Sequence, residues 1–300
     1  MGLTDNQKRL IQAVSLNDIQ AAKKCAIACV AEDATAKNKY FCTKYKAVLE
    51  STGCNMMELL QNLKGLLVLE DTSISFREGR YYLSDREAAV FRGITRMRKV
   101  NARLMELGIP YVNSTLLYGE SGTGKTTFGR YVAYKAELPY CYMNFSGLVD
   151  SYMGSTSKNI SKAFSYAISN PCVLMLDEID CISIARSGSG DSSGSGGEMA
   201  RITISLMQEF DRLPNDVIVI GATNRIDRVD DALLRRFSVK HEVKALSQEE
   251  KTAMVKRFLS DVGISFPDEE IATLVAQGNQ SLVLNGLIRH IAERISEEIA

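Results

Sequence analysis

Apolar residues at the start of the chain recur every three or four positions, the spacing that places them on one face of an α-helix. Two segments show this spacing, with apolar positions at Ile19, Ala22, Ala26, Cys29 and Val30 and then at Phe41, Tyr45, Val48 and Leu49. The pattern predicts a small all-α N-terminal domain over residues 1–75.

A longer amphipathic helix is predicted over residues 84–107, with Ser84 or Asp85 as its cap. One of its faces is traced by Val90, Ile94, Met97, Asn101 and Leu104, and another by Arg92, Arg96, Lys99 and Arg103. The formal net charge of the chain is zero, so no overall field attracts nucleic acid. The basic stripe therefore favours a solvated or subunit-facing surface, with nucleic-acid contact as the open alternative.

Beyond residue 110 the pattern changes to short apolar runs separated by helical segments. The predicted strands are 116–118, 140–144, 173–177, 217–222 and 240–244. Uninterrupted apolar runs with helices between them indicate a parallel sheet covered on both faces. We expect an α/β domain over residues 85–246, followed by a helical lid domain over residues 247–300 whose last helix is capped by Ser281.

Composition excludes several classes of protein. No apolar run approaches the length of a membrane span, the N-terminus lacks a signal-peptide profile, and 45% of the residues are hydrophobic. The seven cysteines contain no C-x-x-C pair, and with two histidines in the chain they make a poor metal site. We expect a cytoplasmic protein with reduced thiols and no membrane partner.

The strongest chemical signal is a glycine-rich turn between a predicted strand and a predicted helix. It has the spacing G-x-x-x-x-G-K-T of a phosphate-binding loop, in which glycines let successive N–H groups surround phosphate oxygens. The predicted nucleotide-binding residues are Gly119, Glu120, Ser121, Gly122, Thr123, Gly124, Lys125, Thr126 and Thr127. Lys125 is suited to the β- and γ-phosphates and Thr126 to Mg²⁺, so we expect ATP and Mg²⁺ as ligands.

Other polar residues follow the later strands, at the edge where parallel sheets bind ligands. Asp177 ends an apolar strand and is a candidate for the Mg²⁺ shell, and Glu178 beside it is a candidate general base. Asn224 follows the next strand; on its own it is an ordinary turn signal. Arg235 and Arg236 come after a further helix, and arginine stabilises a transferring phosphoryl group.

Taken in this order, residues 119–126, 176–180, 221–224 and 232–237 resemble the AAA family of ATPases. The resemblance implies a P-loop NTPase fold with a five-stranded parallel sheet of order 5-1-4-3-2, counted from the strand before the phosphate loop. It also implies a C-terminal helical lid and a homo-oligomeric ring, usually of six subunits. By position it makes Glu178 the catalytic base, Asn224 the first sensor, and Arg235 and Arg236 the fingers that reach the neighbouring nucleotide. The adjacent arginines are similar to those of the spastin and katanin group.

Residues 145–155 are similar to the central-pore loop of that family. Tyr152 and Met153 would grip a threaded polypeptide, and the alternative is a loop tyrosine that packs on its own domain. The Gly/Ser-rich segment 187–197 lies where a second pore loop would be and equally fits a plain insertion. Near residues 282–285 the chain has Leu-Val-Leu-Asn where the family usually has Gly-Ala-Asp, and no arginine stands at the usual second-sensor turn.

These features together predict an ATP-hydrolysing ring motor that remodels, unfolds or disassembles a macromolecule, in the first place a protein. A nucleotide-dependent assembly switch or a DNA-linked scaffold is the alternative, in which ATP sets oligomerisation and turnover is incidental. The aromatic loop residue Tyr152 favours the motor, and the basic stripe over residues 92–103 leans towards the alternative.

Overall fold

The computed structural model describes residues 3–15, 19–33, 35–50, 67–145, 156–182, 195–276 and 278–299. They belong to two compact units, residues 1–58 and residues 59–300. In the first unit the helices are α1 (Asp5–Ser15), α2 (Ile19–Glu32) and α3 (Lys39–Glu50), with a 3₁₀ turn at Ala36–Asn38. α2 packs against both α1 and α3.

The predicted apolar face of the second N-terminal segment is only partly buried within its unit. Ala13 on α1 and Ala22 on α2 are buried, whereas Phe41 and Tyr45 on α3 are exposed. The two rings of α3 contact each other, with their centroids 4.5 Å apart.

The second unit is organised around a six-stranded sheet. Its strands are β1 (Val68–Glu70), β2 (Asn113–Tyr118), β3 (Tyr140–Asn144), β4 (Val173–Asp177), β5 (Ile218–Thr223) and β6 (Val239–Glu242), in the order β1-β3-β4-β5-β2-β6. β2 to β6 are parallel, which confirms the predicted order of five strands. β1 is an addition that pairs antiparallel with β3. It lies within residues 1–75, which the sequence predicts to be all-helical, because three residues are too short to show a strand period.

Helices cover both faces of the sheet, as its uninterrupted apolar strands require. They are Thr72–Ser75, α4 (Asp85–Glu106), α5 (Lys125–Ala136), α6 (Thr156–Ser169), α7 (Ser195–Asp211) and the single turn Asp231–Leu234. Ser84 caps α4 by accepting a hydrogen bond from the N–H of Glu87, as predicted. The basic residues predicted on one face of α4 are exposed, and Arg103 pairs with Glu106 on the same helix.

The C-terminal helices form the predicted lid around a core of their own. They are α8 (Gln248–Val262), α9 (Asp268–Val275) and α10 (Gln280–Ile299). Buried apolar residues join the three, among them Val255, Leu274, Val283 and Leu287. α10 begins one residue before the predicted cap: the side chain of Asn279, not Ser281, accepts a hydrogen bond from the N–H of Leu282, at 3.1 Å. None of the helices in the described part of the chain is long and apolar enough to cross a membrane.

Candidate active site

The phosphate loop connects β2 to α5, and its glycines adopt conformations that other residues rarely take. Gly119 has φ +141°, and a Cβ atom on it would lie 2.4 Å from the carbonyl oxygen of Val243. Gly124 has φ +90° and precedes the first residue of α5. The loop therefore turns directly onto a helix N-terminus, whose N–H groups and dipole favour an anion.

Lys125 is the first residue of α5, and its side chain runs back along the loop. Its Nζ donates to the carbonyl oxygens of Gly119 and Glu120, both at 2.8 Å, and the residue is only 7% exposed. Burial lowers the pKa of this ammonium from its ordinary value, and the nearby carboxylates of Asp177 and Asp180 only partly offset the effect. The site thus holds a desolvated cation beside the loop.

The side-chain hydroxyl of Thr126, on α5, lies beside the carboxylate of Asp177 at the end of β4. Thr126 Oγ1 donates to Asp177 Oδ2 at 2.8 Å, while Asp177 Oδ1 accepts from the N–H of Glu178 at 3.0 Å. The described residues hold no cluster of three or more acidic, histidine or cysteine side chains for a metal. A hydroxyl and a carboxylate at this spacing fit Mg²⁺, which keeps most of its shell for water and phosphate oxygens.

Glu178 follows Asp177 in a left-handed backbone conformation, with φ +56° and ψ +42°. A non-glycine residue rarely adopts this conformation, and such strain is found preferentially at functional sites. Asn224 is exposed just after β5. Asp180 accepts a hydrogen bond from Thr223 Oγ1 at 2.7 Å and so joins the ends of β4 and β5.

Most of the predicted site residues surround one cavity of about 310 Å³. It is lined by Ser121, Gly122, Gly124, Lys125, Thr126, Thr127, Asp177, Glu178, Asn224, Gln280, Ser281 and Leu284. A second cavity of about 80 Å³ shares Gly124, Thr127, Gln280 and Leu284 with the first and is also lined by Tyr82. Gln280, Ser281 and Leu284, which line the larger cavity, come from the lid and were not among the predicted site residues.

The lid reaches the phosphate loop through the start of α10. Asn279 Nδ2 donates to the carbonyl oxygen of Ser121 at 2.9 Å, and the N–H of Ser281 donates to the carbonyl oxygen of Gly122 at 3.3 Å. Gln280 Nε2 lies 3.4 Å from the carbonyl oxygens of Thr123 and Lys244, and its Oε1 is buried without a partner among the described residues. The polar run before the last predicted helix is the only sequence signal for these contacts.

The two adjacent arginines lie outside both cavities and have different surroundings. Arg236 binds Asp211 of α7 through two hydrogen bonds of 3.0 Å and also donates to the carbonyl oxygen of Ala232. Arg235 is exposed and forms no ion pair within the described ranges. Tyr152 and Met153 lie outside the described residues, as does most of the Gly/Ser-rich segment.

The fold and the site together define a P-loop nucleotide-binding protein, and comparisons with known proteins narrow the class. Residues 115–245 match the ATPase family associated with various cellular activities (AAA). Over 136 residues the chain is 39% identical to the peroxisomal ATPase PEX6 of Arabidopsis thaliana. It is 35% identical over 175 residues to that of Homo sapiens. These matches cover 44% and 57% of this chain but only 14% and 17% of the two relatives.

The fold is also that of a solved AAA domain. The crystal structure of the FIGL-1 AAA domain matches with a TM-score of 0.57 at 22% identity, covering 74% of each chain. The structure of that domain in complex with ADP matches with the same TM-score over 81% of this chain and 85% of the other. Residues 115–245 are therefore similar in sequence to the ATPase domain of the AAA family, and the described residues share the fold of such a domain.

Proposed function

We propose that this chain is the ATP-hydrolysing subunit of a homo-oligomeric ring, hexameric in its working form, that remodels a protein substrate. The observation that carries the proposal is the convergence of Lys125, Thr126, Asp177, Glu178 and Asn224 on one cavity. They supply a cation, a metal-binding pair, a base and an amide, which are the groups that phosphoryl transfer to water needs.

The triphosphate is held where the loop meets α5. Backbone N–H groups of the loop and the positive end of the helix dipole face the β- and γ-phosphates. The Lys125 ammonium exchanges its carbonyl partners on the loop for phosphate oxygens. The smaller cavity, between the loop and the lid, takes the nucleoside.

Thr126 and Asp177 hold Mg²⁺, which when bound neutralises charge on the β- and γ-phosphates. Glu178 takes the proton of the attacking water, and its carboxylate lies beside the cavity for that purpose. Asn224 orients the water with its amide. Asp180 keeps the end of β5 against that of β4, so that Asn224 stays near Glu178.

Arg235 completes the site of a neighbouring subunit. Arg235 is exposed and does not line the cavity of its own subunit, so the γ-phosphate that it contacts is the one bound by a neighbouring copy of the chain. Tyr152 and Met153 contact the protein substrate at the centre of the ring. The protein works in the cytoplasm, where its described cysteines remain free thiols.

The first experiment is the mass in solution of the Glu178→Gln variant, with and without ATP and Mg²⁺, together with phosphate release by the parent protein. We expect a nucleotide-dependent ring and steady turnover by the parent. A monomer under both conditions would contradict the ring, and an oligomer without turnover would favour the assembly switch. Tyr152→Ala should then impair substrate remodelling while leaving basal hydrolysis unchanged.

A further inference from the structure

A tyrosine outside every predicted motif contacts the carboxylate expected to hold the metal. Tyr142 lies in the middle of β3, and its hydroxyl donates to Asp177 Oδ2 at 3.3 Å. The same carboxylate oxygen accepts the 2.8 Å hydrogen bond from Thr126 Oγ1. One oxygen atom therefore receives two hydroxyl donors, one from β3 and one from the start of α5.

These bonds leave the Asp177 carboxylate little freedom to rotate. Its other oxygen, Oδ1, accepts from the N–H of Glu178 at 3.0 Å. With donors on both oxygens, the plane of the carboxylate is set, and so is the direction of the Thr126 hydroxyl. A second layer of hydrogen bonds of this kind orients metal ligands in proteins and tunes their affinity for the metal.

The position of the Tyr142 ring is supported by a neighbouring aromatic ring. The Tyr142 ring stacks on Tyr140, with centroids 6.2 Å apart and an interplanar angle of 27°. The Arg130 guanidinium of α5 lies over the ring of Tyr140 at 5.6 Å, and Arg130 Nε donates to Glu70 of β1 at 2.8 Å. Burial raises the pKa of Tyr140, so this ring stays neutral. The extra strand β1 thus supports a stack that leads to Asp177.

We propose that Tyr142 is a positioning residue, whose hydroxyl orients Asp177 and Thr126 for the Mg²⁺ that accompanies ATP. The inference rests on the proposed function, since it concerns the same metal pair. A phenylalanine would fill the strand position equally well, because the ring alone satisfies the packing. The hydroxyl contacts Asp177 directly, so it is the group to test.

The test is the Mg²⁺ dependence of ATP binding in the variant Tyr142→Phe, measured by calorimetry with Mg²⁺ or with EDTA. Glu178→Gln serves as the parent so that ATP is not consumed. Without the metal, we expect the Kd for ATP to agree with that of the parent within about twofold; with Mg²⁺ it should be about tenfold weaker. Tyr134→Phe on α5 is the matched control, since its ring packs on Phe76 away from Asp177, and it should bind like the parent in both conditions.

Three outcomes would overturn the inference. Equal tightening by Mg²⁺ in the parent and in Tyr142→Phe would remove the hydroxyl from the metal pair and leave the proposed function intact. Equal weakening with and without Mg²⁺, together with a lower melting temperature, would make Tyr142 a purely structural residue. A parent that binds ATP no more tightly with Mg²⁺ than with EDTA would overturn the metal assignment of Thr126 and Asp177 as well.

Discussion

Arg236 is bound by Asp211 through two parallel hydrogen bonds of 3.0 Å, from Nε to one carboxylate oxygen and from a terminal nitrogen to the other. A third bond of 2.8 Å runs to the carbonyl oxygen of Ala232. A guanidinium paired in this bidentate way is oriented towards a carboxylate of its own subunit. Arg235, one residue earlier, is exposed. The two adjacent arginines, which share one role in the sequence-based prediction, therefore have different surroundings, and we expect them to have different roles.

Arg235→Ala should lower turnover far more than Arg236→Ala. We expect a loss of about a thousandfold for Arg235, the effect of removing an arginine from a transferring phosphoryl group. For Arg236 we expect a loss of stability of about 1 kcal/mol or less, because its ion pair is partly exposed. Steady-state hydrolysis and thermal unfolding of the two variants, compared at equal oligomer mass, measure the difference.

Asp211→Ala is the matched control for this pair, and it should behave like Arg236→Ala. Mixed rings give the second check: subunits with Arg235→Ala and subunits with Lys125→Ala should recover some activity where intact halves meet. Mixed assemblies that stay inactive, or an Arg236 variant as impaired as the Arg235 variant, would contradict the division of roles.

Glu178→Gln should bind ATP and lose at least about a hundredfold in turnover, because the amide cannot take a proton from water. Glu178→Gly should lose as much turnover but be more stable than the Gln variant by about 1 kcal/mol, since glycine adopts the left-handed conformation without steric cost. Chemical denaturation and phosphate release measure both effects.

Glu137 provides the control for the backbone argument. It has φ +53° at the end of α5, away from the cavity, so Glu137→Gly should gain similar stability without losing turnover. If Glu178→Gly hydrolyses ATP at the parental rate, Glu178 is not the base.

The parts of the site that could be predicted are those whose chemistry lies within a few consecutive residues. The glycine spacing before Lys125 and the carboxylates after an apolar strand carry their own signal. The pair formed by Arg236 and Asp211 carries none, because it joins side chains 25 residues apart and depends on how α7 packs. Tyr142 has the sequence signal of an ordinary strand residue, since alternation alone does not show that its hydroxyl contacts the Asp177 carboxylate.

The strand β1 and the lid contacts were missed for similar reasons. β1 has three residues and pairs with β3, about seventy residues later. It is a strand because of this pairing and not because of a pattern in its own sequence. Asn279 meets Ser121 across 158 residues. Contacts between distant segments follow from the tertiary fold. The lid sequence departs from the AAA pattern near residues 282–285, so the resemblance to that family does not predict these contacts either.

Binding of ATP should take up protons at alkaline pH through Lys125. Burial lowers the pKa of this lysine below its ordinary value of 10.5, and phosphate oxygens beside it raise the pKa again. At a pH between the pKa of Lys125 in the free protein and its higher pKa in the ATP complex, binding adds a proton. The affinity for ATP should therefore fall as the pH rises through that interval and be constant below it. Calorimetry in two buffers of different ionisation enthalpy measures the uptake.

The control for the proton count is Lys125→Arg, whose guanidinium does not titrate in this range. It should bind ATP without proton uptake, even if more weakly. Uptake of the same size in the arginine variant would assign the proton to another group, and no uptake by the parent would mean that Lys125 is fully protonated before binding.

Gln280→Leu should weaken ATP binding while leaving the free energy of unfolding nearly unchanged. The amide contributes little to stability, because its two donor contacts are long, at 3.4 Å, and its buried oxygen has no partner among the described residues. Those two contacts nevertheless tie α10 both to Thr123 of the phosphate loop and to Lys244 before the lid. Without them Ser281 and Leu284 are held at the cavity less firmly, by the bonds of Asn279 and Ser281 to the loop, so we expect the Kd for ATP to rise about tenfold, or about 1.4 kcal/mol.

Gln248→Leu is the matched control, since Gln248 is exposed at the start of α8, and it should change neither quantity. Calorimetry with ATP and denaturant unfolding without it separate the two contributions for each variant. A Gln280 variant that binds ATP like the parent would leave lid and loop coupled by Asn279 and Ser281 alone. A loss of several kcal/mol in unfolding would instead make the amide a structural part of the lid. The expected result, weaker binding at unchanged stability, would give this lid a neutral amide as its link to the nucleotide site, near the turn where proteins of the AAA family usually have a second-sensor arginine.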